Sequence, residues 1–180
     1  MNAKKELWVL LGSFVLPIAL GTAFFYYNPT AFTGSTVNYG RFVNPIITTK
    51  KADVVFSQAT PGRLQGLWSL GFSADECENI CQQALQDVKT IRLLMNADMR
   101  RIQGLLLTNS TNNLPISGIL FARPSANLRQ KLSRLEAQTG RKLFLIDPLG
   151  NVMLSYPAQK LDIKKVIKDL KRLFKYSRIG

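Results

Sequence analysis

The two cysteines, Cys77 and Cys81, are the residues of this chain best suited to chemistry. Two thiols placed four residues apart can form a disulfide and take part in thiol–disulfide exchange, or they can hold Cu(I), which soft sulfur ligands select. The chain contains no histidine, so it lacks the commonest metal ligand and the commonest general base. This composition excludes most hydrolase triads and most zinc sites and leaves sulfur chemistry as the candidate activity.

The cysteines fall near the start of a predicted helix, Ser73 to Asn96. Apolar residues recur there at helical spacing, and Ser73 and Glu76 have the spacing of a capping box. Unpaired N–H groups and the helix dipole favour a thiolate at a helix start. The neighbouring carboxylates of Asp75, Glu76 and Glu78 have the opposite effect, because like charges disfavour a thiolate.

The spacing of the pair leaves several interpretations open. If both cysteines lay in a regular helix, the rise alone would separate their Cα atoms by about 6 Å, so a disulfide requires a distorted first turn. Both residues also lie on the apolar stripe of the helix, where cysteine often behaves as a small buried hydrophobe. A redox pair, a Cu(I) site and a structural pair therefore all fit these residues.

The elements that must position the cysteines alternate along the chain. The predicted order is a strand at 67–72, the helix from Ser73, a strand at 102–108, a helix at 125–138, strands at 142–147 and 151–156, and a helix from Asp162 to Tyr176. The segment 109–124 is predicted to be a loop with one short apolar piece, Ile119 to Phe121. A strand–helix–strand unit makes a parallel pair, and the late hairpin adds an antiparallel strand. The predicted fold class is α/β, a thioredoxin-like mixed sheet with helices on both faces, preceded by one transmembrane helix.

An N-terminal segment without charge, Leu7 to Tyr27, is long enough to span a bilayer. Lys4 and Lys5 precede it, and no basic residue follows until Arg41, so the positive-inside rule places the N-terminus in the cytoplasm. The segment exceeds the apolar region of a signal peptide and ends in bulky aromatic residues, which favours an uncleaved anchor. We therefore expect a cytoplasmic N-terminus at 1–6, an anchor at 7–27, a tether and extended lead-in at 28–65, and a thioredoxin-like domain at 66–180.

The chain is strongly basic, with a formal net charge of +13. Five basic residues of the last predicted helix form a candidate membrane-surface group: Lys164, Lys168, Lys171, Arg172 and Lys175. They could face anionic lipid or form a solvated outer face of a helix that packs on the core. With the domain outside the cytoplasm, the lipid bilayer remains a candidate partner and nucleic acid does not.

Three motifs resemble the Sco/SenC family: the stretch Trp68 to Phe72, the Cys77-x-x-x-Cys81 pair, and the stretch Leu145 to Asn151. The last part of the chain, Lys168 to Lys175, and the lead-in, Asn38 to Pro45, look similar to a smaller bacterial subgroup of membrane proteins linked to cytochrome oxidase assembly. The chain departs from the family at its histidine ligand, where 139–142 stands instead. It also departs at the prolines that follow the cysteines, where Glu78 and Gln82 stand.

The resemblance implies a function and a location. It implies a factor in the bacterial inner membrane, with a periplasmic domain, that assists cytochrome c oxidase assembly through Cys77 and Cys81, by thiol–disulfide exchange or by transient handling of Cu(I). It implies an oxidase subunit or another assembly factor as the protein partner. A non-catalytic interaction module with structural cysteines, docked on a membrane respiratory complex, is the alternative.

Overall fold

A computed structural model of the chain describes residues 3–28, 38–58, 60–110 and 116–177. The chain divides into two units, Met1–Val37 and Asn38–Gly180. Residues 29–37 and 59 of the predicted tether and lead-in at 28–65 lie outside the described residues, as do the first two residues of the predicted cytoplasmic segment.

The first unit contains helix α1, Ala3–Tyr27, which includes the predicted anchor and extends it toward the N-terminus. By length and composition it could cross a membrane. Two of its polar side chains bond to its own backbone: the Ser13 hydroxyl donates to the Leu10 carbonyl and the Thr22 hydroxyl donates to the Ile18 carbonyl. Pro17 lies inside the helix, as membrane helices allow.

The second unit is built on a mixed sheet of seven strands among the described residues. The strands are β1 Arg41–Thr48, β2 Val54–Phe56, β3 Trp68–Ser73, β4 Ile102–Leu107, β5 Ile119–Pro124, β6 Lys142–Ile146 and β7 Asn151–Pro157. Their spatial order is β1-β7-β6-β3-β4-β5-β2. Strands β3, β4 and β5 are parallel, and the remaining neighbours are antiparallel. The predicted fold class is confirmed.

Three helices cover the sheet: α2 Asn79–Leu94, α3 Ala126–Thr139 and α4 Ile163–Tyr176. Helices α2 and α4 share one hydrophobic core, and α3 contributes Leu128 and Leu132 to the core on the other face. Strand β4 is buried along its whole length, because helices lie on both of its sides. The long apolar run at 102–107 follows from this central position.

Only the last part of the predicted loop at 109–124 is a strand, while 111–115 lie outside the described residues. The short apolar piece at 119–121 belongs to β5, which runs to Pro124 and pairs with β4 on one side and β2 on the other. The prediction of a loop at 119–121 was wrong. The neighbouring strand β2 comes from the predicted lead-in, and no local pattern in the sequence indicates pairing with so distant a strand. The lead-in also supplies β1, which pairs with β7.

A buried carboxylate binds the backbone of the first residues of the second unit. Asp169 of α4 is 3% exposed and accepts the backbone N–H groups of Tyr39 at 3.2 Å and Gly40 at 2.9 Å. A Cβ atom at Gly40 would lie 2.6 Å from the ring of Tyr156, so only glycine fits this close approach. Burial, together with the Asp169 carboxylate, raises the pKa of the Tyr156 phenol.

Candidate redox site

Cys77 and Cys81, the two predicted site residues, form a disulfide. Their Cα atoms are 5.0 Å apart, closer than two positions in a regular helix would be. The bond is possible because only Cys81 belongs to α2, while Cys77 lies in the loop that leads to it. The expected departure from helical geometry therefore takes the form of a loop before the helix.

The predicted start of this helix at Ser73, with its capping box, was wrong. Ser73 is the last residue of β3 and pairs with Leu107. The ladder continues beyond the strand, since the Ala74 N–H donates to the Leu107 carbonyl at 3.0 Å and the Thr108 hydroxyl donates to the Asp75 carbonyl at 3.3 Å. These bonds keep the chain extended, and the helix begins only at Asn79.

The two sulfur-bearing residues differ in exposure. Cys81 is 3% exposed and packs in the core beneath α2, whereas Cys77 is half-buried at its margin. The Gln82 side-chain amide donates to the Cys77 carbonyl at 3.3 Å and holds the loop against the helix. Glu78 occupies the N-cap position, but no side chain caps the helix start. A reduced pair would present Cys77 to solvent first.

A cleft of about 710 Å³ opens beside the disulfide. We call it the cysteine groove. One wall is formed by residues between Phe72 and Cys81, including Cys81 but not Cys77, and the other is one face of α3. The α3 wall consists of Ala126, Arg129, Gln130, Ser133 and Glu136. Cys81 thus lines an open channel, and Cys77 lies in the chain between Glu76 and Glu78, which line the channel as well.

Among the described residues, only some of the carboxylates in the cysteine groove form ion pairs. Arg129 pairs with Asp75 at 3.5 Å, and Arg141 pairs with Glu136 at 3.3 Å. Desolvation by burial raises the pKa of Glu136, although Arg141 acts in the opposite direction. Among the residues that the structure describes, Glu76 and Glu78 form no ion pair, so negative charge remains next to the cysteines.

Comparison with known protein families matches residues 68–177 to the transmembrane-like, thioredoxin-like, C-terminal domain. The chain belongs to this family. The match spans β3 to α4 and therefore includes both cysteines. No curated protein matches this chain in sequence.

Several solved structures are similar to this thioredoxin-like protein in fold. The solution structure of apo Sco1 from Thermus thermophilus has a TM-score of 0.50 at 13% identity and covers 78% of this chain and 99% of its own. Yeast Sco1 with copper bound has a TM-score of 0.49 at 16% identity, with 63% and 82% covered. A cysteine-to-serine mutant of PrxQ from Xylella fastidiosa has a TM-score of 0.47 at 14% identity, with 78% and 99% covered. At its low identity, the likeness to the Thermus thermophilus structure establishes the fold alone.

The cysteines of this thioredoxin-like chain could bind a soft metal only after reduction, because thiolates and not a disulfide are the ligands. Two thiolates would then supply a pair of sulfur ligands of the kind that Cu(I) prefers. In the described ranges, no group of three or more histidine, cysteine or acidic side chains could hold a metal ion.

The predicted membrane-surface group lies on the outer side of α4. Lys164, Lys168, Lys171 and Lys175 are exposed and Arg172 is half-exposed, while Val166, Leu170 and Phe174 face the core. The structure thus brings the five residues onto one helix, apart from the lining of the cysteine groove.

Sequence reasoning missed the α3 wall of the cysteine groove. Its polar residues recur at the spacing of one helix face, which is a usable signal, but the same spacing is typical of any solvated helix face. Arg141 was missed as well. Its side chain donates to the Ser73 carbonyl at 3.1 Å, across the end of the sheet, and local sequence carries no trace of that contact.

Proposed function

We propose that this protein is a membrane-anchored, thioredoxin-like factor that assists cytochrome c oxidase assembly through the Cys77–Cys81 pair. The observation that carries the proposal is the disulfide at the start of α2, which borders the open cysteine groove. A half-buried sulfur followed by a buried one suits exchange, because the outer sulfur can be attacked while the inner one resolves the product. The resemblance of three sequence motifs to the Sco/SenC family guides the choice of oxidase assembly.

Thiol–disulfide exchange is the chemistry that the site favours, with the protein acting as reductant. In the reduced protein, the carboxylates of Glu76 and Glu78 would disfavour a thiolate beside them. A site that destabilises its reduced form has a stable disulfide and gives up its electrons readily. Transient handling of Cu(I) by the two thiolates is the second branch of the proposal.

The proposed location follows from α1. We place residues 1–6 in the cytoplasm, 7–27 in the bacterial inner membrane, 28–65 as tether and lead-in, and 66–180 in the periplasm. The membrane-surface group on α4, Lys164 to Lys175, would then meet anionic lipid, and an oxidase subunit or assembly factor would meet the cysteines. An oxidising compartment is also where a disulfide can persist.

Thiol trapping of the full-length protein in detergent tests the exchange activity. The native disulfide should be reduced by dithiothreitol without loss of the folded circular dichroism spectrum, and both thiols should then be alkylated. Oxidation by a disulfide such as oxidised glutathione should restore the bond. A bond that is reduced only when the protein unfolds would overturn the proposal.

Titration with Cu(I) tests the metal branch. The reduced wild type should bind one equivalent, and the Cys81→Ser variant should bind far more weakly, since one sulfur ligand is lost. Equal binding by both forms would rule this branch out.

The interaction-module alternative has its own support, because Cys81 belongs to the hydrophobic core and Cys77 packs against it. In this alternative the bond only stabilises the start of α2. Oxidase assembly in cells that carry the Cys77→Ser/Cys81→Ser double variant separates the two functions. Normal oxidase levels with a stable variant would favour the module, and loss of oxidase with a stable variant would favour the thiol chemistry.

A further inference from the structure

The cysteine groove has the dimensions of a site for an extended peptide. Its α3 wall runs from Ala126 to Glu136, ten residues apart, which corresponds to a rise of about 15 Å. An extended chain advances about 3.3 Å per residue, so four to five residues fit along this wall. The groove is open along its side, as binding of a continuous chain requires.

The surfaces of the groove offer both apolar and polar contacts. Phe72 and Ala74 are buried at its base, and Ile80 is 36% exposed beside them. Gln130 and Ser133 lie exposed on the α3 wall. The Gln130 amide can bond to a peptide backbone, and the Ser133 hydroxyl, which donates to the Arg129 carbonyl at 2.6 Å, can still accept an N–H. An apolar base with polar groups along one side is common in peptide-binding sites.

The charge of the groove contrasts with that of the chain. The two arginines of the lining are already paired, Arg129 with Asp75 and Arg141 with Glu136. Glu76 and Glu78 remain, exposed on either side of Cys77 in a chain whose net charge is +13. The segment next to the sulfurs is therefore complementary to a basic partner, although most of the protein would repel one.

We propose that the cysteine groove binds an extended, cationic peptide segment whose cysteine disulfide the reduced pair then cleaves. Three observations carry this inference together: the groove, Cys81 in its wall with its disulfide to Cys77, and the two carboxylates, which form no ion pair among the described residues. It rests on the proposed thiol–disulfide exchange and names the substrate class for it.

The exchange balances in two steps. The Cys77 thiolate attacks one sulfur of the substrate disulfide, a mixed disulfide forms, and the other substrate sulfur leaves as a thiolate that takes a proton from water. The Cys81 thiolate then attacks the Cys77 sulfur, which restores the Cys77–Cys81 bond and releases the second substrate thiolate. Two electrons pass from the protein to the substrate, and a dithiol reductant must reduce the protein again.

Two synthetic peptides of about five residues test this specificity. Each carries a central cysteine in a mixed disulfide with 5-thio-2-nitrobenzoate, flanked by lysines in one peptide and by glutamates in the other. The reduced full-length protein in non-ionic detergent should release the chromogenic thiol from the lysine peptide about tenfold faster at low salt. Because both carboxylates are exposed, the difference should shrink as the salt concentration rises.

The Glu76→Gln/Glu78→Gln variant should reduce the preference to nearly equal rates. Asp87→Asn/Asp98→Asn is the matched control, since it removes two negative charges outside the lining of the groove, and it should keep the wild-type preference. In the Cys81→Ser background, the lysine peptide should accumulate as a mixed disulfide on Cys77, which mass spectrometry identifies.

The outcomes separate this inference from the function on which it rests. Equal rates for the two peptides, or a preference that survives in the Glu76→Gln/Glu78→Gln variant, would overturn the peptide specificity while exchange itself stands. A reduced protein that reacts with neither peptide nor with a small aromatic disulfide would overturn both.

Discussion

The helices of the folded unit begin in two different ways. Helices α3 and α4 have ordinary side-chain caps: the Ser125 hydroxyl accepts the Leu128 N–H at 3.2 Å, and the Asp162 carboxylate accepts the Lys165 N–H at 3.1 Å. Helix α2 begins at Glu78 without a side-chain cap, and the Cys77–Cys81 disulfide joins its first turn to the preceding loop.

This difference distinguishes the two capped helix starts from the one that carries the cysteines. A capping side chain accepts the same N–H groups that would stabilise a thiolate at a helix start. The starts of helices α3 and α4 carry no cysteine, and each has a side-chain cap. The start of α2 lacks such a cap and carries the Cys77–Cys81 disulfide. Local rules are often broken at functional sites, so this difference supports the proposed thiol chemistry.

Breaking the disulfide should have the largest effect on stability. The Cys77→Ser/Cys81→Ser variant should lose about 2 kcal/mol in the free energy of unfolding, because a short closed loop restricts the unfolded chain only moderately. Denaturant titration of the full-length protein, followed by circular dichroism, measures the loss. An unchanged free energy of unfolding would show that the bond does not hold the start of α2.

Removal of the α3 cap should have the next largest effect. Ser125→Ala should cost about 1 to 2 kcal/mol, since the hydroxyl accepts the Leu128 N–H and also donates to the Asp53 carboxylate at 2.8 Å. Ser133→Ala is the control, because it removes an exposed hydroxyl within the same helix and should be nearly neutral. Equal losses in the two variants would contradict a specific role of the cap.

The α4 cap should make stability depend on pH. The Lys165 N–H bond, foremost among the causes, lowers the pKa of Asp162 below its ordinary 3.8. The folded state then binds this proton less readily than the unfolded state does, so the contribution is present above about pH 4 and is lost as the pH falls through the lowered value.

Thermal unfolding between about pH 7 and pH 2 measures this dependence. Asp162→Asn should be less sensitive to acid than the wild type, because asparagine can cap the helix without a charge. Identical pH profiles would exclude a contribution from this carboxylate.

Giving α2 an ordinary cap should have the smallest effect. Glu78→Ser should add about 0.5 kcal/mol to the free energy of unfolding, since serine can accept an N–H of the first turn. Glu76→Ser removes the same charge from the loop and provides the control. A loss of stability in Glu78→Ser alone would mean that the disulfide already holds the first turn in a geometry that serine cannot cap.

Much of the fold could be predicted from the sequence because the spacing of apolar residues within one element indicates whether it is a helix or a strand. The α4 stripe and its Asp162 cap, the β6–β7 hairpin and the apolar β4 all depend on neighbours within one element. The β5 loop and the Ser73 helix start were predicted wrongly for the opposite reason. Both depend on strand pairing with distant residues, β2 for β5 and Leu107 for Ser73.

The sequence alone determined which residues could do chemistry. It supplied two cysteines without histidine, three carboxylates beside them, and one apolar segment long enough for a membrane. The tertiary structure decided that Cys77 lies outside the helix, that Cys81 is buried, and that α3 forms one wall of an open groove beside them. Residue types and helical spacing are local properties, whereas exposure and grooves arise only when elements far apart in the chain pack together.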